Sequence, residues 1–263
     1  MTEEVVAVVP KRSPLVQGLE LVATAVALAA AGASGAQLFA LSATGRWKFS
    51  DLLFRVGVPA AAVLVVVLVV AILMGWQRLR RGILLGFAAG AIATMGLEAV
   101  RITGFRVFHS MPGDLPTLMG VQATDRIMLG PNTSSTIVGY LDHFWNGAMF
   151  GVIFALIVGG FPAARRAWTG AAIGALYGLA MGFGFASGPL PRTLGIGGVF
   201  STVTVAEFQT TIYLAHLVFG VLLGLLVHAF GSRIPPLWTP ALDVVKSIAG
   251  SRHTVAGVRS NHE

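Results

Sequence analysis

Two histidines sit in matching frames, "YLDHFWNG" at residues 140–147 and "YLAHLVFG" at 213–220, so Tyr-Leu-x-His-x-x-x-Gly occurs twice in one chain. Beside the first stand Asp142, His143 and Asn146, and upstream lie Glu98 and Arg101, three residues apart. On a helix that spacing makes neighbours of a carboxylate and a guanidinium, which can pair. Three kinds of chemistry are open to such a set. The side chains can simply hydrogen-bond packed helices together. His143 and His216, with Glu98 or Asp142, can ligate a transition metal, since imidazole and carboxylate suit zinc, iron or copper. Or the two histidines can be axial ligands of a b-type haem, with glycines one and two turns away leaving room for the macrocycle.

Other chemistry is excluded or weakly signalled. With zero cysteines the chain has no disulfide, thiolate metal site, cysteine-ligated iron-sulfur cluster or covalently attached haem. There is no His-Glu-x-x-His, P-loop, nucleophile elbow or dinucleotide fingerprint. Met111, Met119 and Met128 with His109 offer soft copper ligands, but their spacing is irregular. The leading expectation is therefore that Glu98, Arg101, Asp142, His143, Asn146 and His216 form a polar cluster with no cofactor.

The elements that must position these residues are helices in an apolar solvent. The chain is 55% hydrophobic and 11% charged, against about 25% charged residues in soluble domains. Six apolar stretches, near residues 19–42, 53–75, 82–104, 136–160, 169–188 and 207–230, are long enough to cross a hydrocarbon core, which takes about 20 helical residues. The expected fold class is an all-α integral membrane protein with six transmembrane helices. The first stretch is too long for the apolar core of a signal peptide, although cleavage after it stays a minor alternative.

The net charge of +7 comes from short basic clusters between spans, which fits lipid headgroups and topology rather than nucleic acid. Of 18 Lys and Arg, 11 fall in the tails and the two loops on the same side as the N-terminus and five on the other side, with Arg55 and Arg101 inside spans. The positive-inside rule then places both termini in the cytoplasm of a bacterial cytoplasmic (inner) membrane.

A second periodicity organises the last four spans. Gly82, Gly86, Gly90 and Gly96 recur 88 positions later as Gly170, Gly174, Gly178 and Gly184, while Tyr140, His143, Gly147 and Gly151 recur 73 positions later as Tyr213, His216, Gly220 and Gly224. The difference is what a shorter second loop produces, and residues 105–135 indeed number 31 against 18 for 189–206. The last four spans thus read as two tandem helical hairpins. Small residues at intervals of four let helix backbones approach closely, so these stripes mark buried faces.

The chain divides into a tail at 1–18, a first hairpin at 19–75, a second at 76–160, a third at 161–230 that repeats the second, and a tail at 231–263. In the last, Pro235, Pro236 and Pro240 around Trp238 suit an interfacial anchor. In the long loop of the second hairpin, Asp114 and Pro116 predict the start of a short helix on the membrane surface or folded back into it. From the rise per residue, Glu98, His143 and His216 lie at depths of roughly 9, 10 and 13 Å from the outer boundary, in one layer.

"MGLEAVRITG" at 95–104, the Met-, Pro- and Asp-rich loop ending "DRIMLGP", "GYLDHFWNG" at 139–147 and "AHLVFGVLLG" at 215–224 resemble uncharacterised multi-pass membrane proteins of bacteria, of the domain-of-unknown-function type, over about residues 80–230. The resemblance implies a fold and a membrane location and carries no activity.

Short loops leave no soluble catalytic domain. The expected function is a non-catalytic structural or accessory subunit of a membrane assembly, with an outer-leaflet polar site open to haem b or a metal. Its expected partners are the lipid bilayer and either another protein or further copies of itself, with no nucleic acid. A small-solute or ion permease and an intramembrane metalloenzyme are the alternatives.

Overall fold

The structure is a computed structural model that describes residues 13–35, 37–162, 166–231 and 234–237, with single residues 239, 241, 242 and 245. The N-terminal tail before residue 13, and Trp238 and Pro240 of the expected anchor, lie outside the described residues.

Among the described residues, six helical segments are long and apolar enough to cross a membrane: Pro14–Ala33, Phe49–Leu73, Gln77–Arg106, Thr133–Val158, Ala167–Ser187 and Val205–Gly231. The first is α1. A short α2 at Gln37–Ser42 precedes the second, which comprises α3 at Phe49–Leu52, a π-turn at Leu53–Gly57 and α4 at Val58–Leu73. The π-turn precedes Pro59, whose ring would crowd the carbonyl four residues back in a regular helix; the wider turn relieves it. The remaining spans are α5 at Gln77–Arg106, α7 at Thr133–Val158, α8 at Ala167–Ser187 and α10 at Val205–Gly231, with α6 at Leu115–Ala123 and α9 at Leu190–Thr193 in the loops.

Local signals set several starts. Asn132 and Ser135 form a reciprocal capping box at α7 (2.8 and 2.9 Å), and Thr204 and Glu207 form another at α10 (2.9 and 3.2 Å). The first span departs from the sequence expectation of 19–42. α1 stops at Ala33, where Ser34 turns its N–H back to Ala30 O and its hydroxyl to Ala31 O, and α2 begins separately. The apolar run continues across this break with no charge or proline to mark it.

α10 packs along both α8 and α5, α5 along α7, and α7 against α1, which in turn meets α4. Tyr177 on α8 donates to Phe150 O on α7 (3.1 Å), and its ring lies 5.2 Å from that of Phe154, so α5, α7, α8 and α10 close into a ring. Two seams hold it. A Cβ on Gly86 would lie 2.5 Å from Gly151 O and Val152 Cα, and one on Gly174 would lie 2.9 Å from Gly224 Cα. Only glycine permits backbones this close.

α6 does start after Asp114, but it is not a free surface helix. Leu115, Pro116, Met119, Val121 and Ala123 are buried, and Gly120 abuts Gly139 as α6 folds onto the start of α7.

Candidate functional site

The polar residues cluster at the end of the ring that carries α6 and α9. Glu98 sits on the face of α5 that turns inward and is 5% exposed; Arg101 follows it at 7%. The Arg101 Nη1 and His143 Nε2 atoms each come within 2.8 Å of the same oxygen, Glu98 Oε1. Arg101 Nε and Nη2 and Asn146 Oδ1 are buried without a hydrogen-bond partner. Removing ions from water is costly, and this arrangement offsets the cost by bringing opposite charges together.

His143 and His216, together with Arg101 and Asn146, line one cavity of about 60 Å³ at the centre of the ring. Its remaining walls are apolar, among them Leu97, Met119, Phe150, Met181, Phe185 and Phe219. A water needs about 10–15 Å³ of such space, so the cavity has room for several waters or a small ligand. His216 Nδ1 lies 2.8 Å from Ile212 O, and the ring stacks on Phe185 with centroids 5.5 Å apart. A carbonyl only accepts, so Nδ1 carries the proton and the neutral ring offers a lone pair at Nε2.

Asp142 does not join the cavity wall; its Oδ2 accepts from Asn146 Nδ2 (3.2 Å) one turn along α7. Among the described residues, no three His, Cys, Asp or Glu side chains are grouped so as to hold a metal ion. Nor do the residues fit haem b. His143 Nε2 is turned to Glu98, His216 is stacked on Phe185, and the space between them falls far below the roughly 300 Å³ at which pockets begin to take drug-sized ligands. The loop methionines are also dispersed, with Met111 and Met119 buried in different apolar clusters and Met128 95% exposed.

Two polar features lie outside the sequence reading. Asp114 Oδ2 accepts from the Tyr140 hydroxyl (3.1 Å) and from Thr117 Oγ1, and a second cavity of about 60 Å³ brings Asp114 and Tyr140 together with Glu98, Arg101 and Arg106. At the opposite end of the ring, Arg78 is buried, donating to Leu156 O (2.7 Å) and Thr24 Oγ1 (3.2 Å). Leu156 O belongs to the last turn of α7, whose carbonyls lack helical partners, so Arg78 acts as a side-chain cap. The signal for Tyr140 was its repetition in the Tyr-Leu-x-His frame, whereas nothing separated Arg78 from the neighbouring loop arginines.

No family model, curated protein or solved structure matches this chain.

Proposed function

We propose that the chain is an integral protein of the bacterial cytoplasmic membrane, with both termini in the cytoplasm, and that it is a non-catalytic structural or accessory subunit of a membrane assembly. The observation that carries this reading is the loop-bearing end, where Met128, Val199 and Phe200 are 95%, 96% and 99% exposed. Large apolar side chains left this open beyond the ends of the spans suit a protein partner. The polar cluster supports a non-catalytic role, because Glu98 is engaged by Arg101 and His143 rather than aimed at a nucleophile.

Tandem duplication of the hairpin is part of this reading. A Cβ on Gly90 would meet Gly147 O, and one on Gly174 would meet Gly220 O, which is the same contact displaced by 84 and 73 positions, one helical turn off the 88 of the glycine spacing. That displacement carries Glu98 onto Gly182, where a Cβ would lie 3.0 Å from His216 Cβ. The second histidine therefore faces no carboxylate at that place and turns to Ile212 O instead.

Extraction in mild detergent, with companions identified by mass spectrometry, tests the subunit reading. A companion retained by wild type and lost in V199S/F200S is expected; a partner-free monomer in both would overturn it. The placement of a cavity between two equivalent hairpins favours a permease as second reading, since repeat interfaces are where transporters build sites. Uptake of a labelled solute that disappears in Glu98→Gln would support it, and equal uptake by wild-type and protein-free vesicles would remove it.

A further inference from the structure

The guanidinium of Arg101 spends one nitrogen on Glu98 and leaves its Nε–Nη2 edge, the edge that grips two acceptors side by side, buried and unpartnered. The wall of the same cavity carries two acceptors. One is Asn146 Oδ1, left over because Asn146 Nδ2 donates to Asp142, and the other is the Nε2 lone pair of His216. A partner for this wall must therefore accept from Arg101 and donate to Asn146 or His216, within about 60 Å³ and against apolar side chains.

Charge decides the protonation state of that partner. Arg101 is already balanced by Glu98, Asp114 is engaged by Tyr140 and Thr117, and Asp142 lies one turn from the cavity. α5 thus contributes Glu98, Arg101 and Arg106, α7 contributes Tyr140, Asp142 and His143, α6 is preceded by Asp114, α10 contributes His216, and α8 adds no titratable side chain to the lining. An anion entering alone would add uncompensated negative charge to a buried site. An anion entering with one proton would not.

We propose that this cavity binds a short-chain monocarboxylic acid together with one proton, the carboxyl group seated on the free edge of Arg101 and the alkyl chain against Leu97, Met181, Phe185 and Phe219. The ligand enters with its proton, so the charge of the site is the same before and after binding and the only exchange is of ligand, proton and cavity water. The proposal goes beyond the accessory-subunit reading and does not depend on a partner, because the binding elements all belong to this chain.

The test is calorimetry of acetate, propionate and butyrate binding to the purified full chain in lipid nanodiscs, repeated in buffers of different ionisation enthalpy. Uptake of one proton per ligand is expected, with affinity falling about tenfold per pH unit, or about 100-fold between pH 5.5 and 7.5. Arg101→Lys keeps a cation beside Glu98 but lacks the two-donor edge, and should weaken binding at least about tenfold. Leu97→Phe fills the cavity without touching its polar wall and should do the same. No binding of any of the three acids, binding without proton uptake, or unchanged affinity in a folded Leu97→Phe variant would each overturn the proposal. A failure here with a retained companion would leave the subunit reading standing, and the converse result would separate them in the other direction.

Discussion

The glycine seam between α5 and α7 makes a quantitative prediction. In Gly86→Ala the new methyl carbon would start 2.5 Å from Gly151 O and Val152 Cα and 2.7 Å from Val152 N. Ordinary contact requires about 3.5–4.0 Å, so the helices must separate by roughly 1 Å at the seam. All three obstructing atoms are backbone, so no rotamer change can absorb the strain. Overpacking of this kind costs about 1–3 kcal/mol. Gly184→Ala is the matched control, because it is also helical and its Cβ would meet nothing within 4 Å. Better helix propensity should make that control neutral or stabilising, by up to about 1 kcal/mol. Reversible unfolding in mixed micelles gives both values. Equal effects for the two substitutions would refute the argument that close backbone approach, rather than glycine content, holds the ring together. Gly174→Ala meets Gly224 backbone in the other hairpin and is expected to resemble Gly86→Ala.

Glu98→Gln removes the charge that balances a buried arginine, and should destabilise the protein by about 3–5 kcal/mol in the same unfolding assay. The double variant E98Q/R101M should recover most of that loss; a single variant as stable as the double would contradict the pairing. Arg78→Met deletes the cap on α7 and the bond to Thr24, with an expected cost on the order of 1.5–3 kcal/mol, and faster hydrogen exchange confined to the last turn of α7 should accompany it.

Much of the fold was legible because it rests on long-range composition. Five of the six spans begin and end within a few residues of the apolar runs, since charge and loop chemistry interrupt hydropathy where the helices stop. The first span was misplaced because Ser34 and Gly35, which end α1, were read as small residues within one continuous apolar run rather than as a turn. The buried face of α5 was legible from period, as Glu98 continues the stripe of Gly82, Gly86, Gly90 and Thr94 and is indeed buried, whereas on α8 Gly184, read into the matching stripe, is exposed and Gly182 takes the buried place. Which partner each polar group takes was not legible. His143 and His216 share a frame, yet one meets Glu98 and the other a backbone carbonyl, because the residue facing His216 at the matching place is Gly182. Asp114 was read as a helix start, and its bond to Tyr140 depends on α6 folding back onto α7, which no local pattern announces.

In the proposed topology the six spans put the α6 and α9 loops on one side of a membrane and the basic loops on the other. The chain has no cysteine, so single cysteines can be placed at Met128 and Phe200 at one end and at Arg81 and Arg166 at the other, all exposed positions. With a membrane-impermeant maleimide, M128C and F200C should label in intact cells, and R81C and R166C only after permeabilisation. Labelling of R81C and R166C in intact cells would contradict the account.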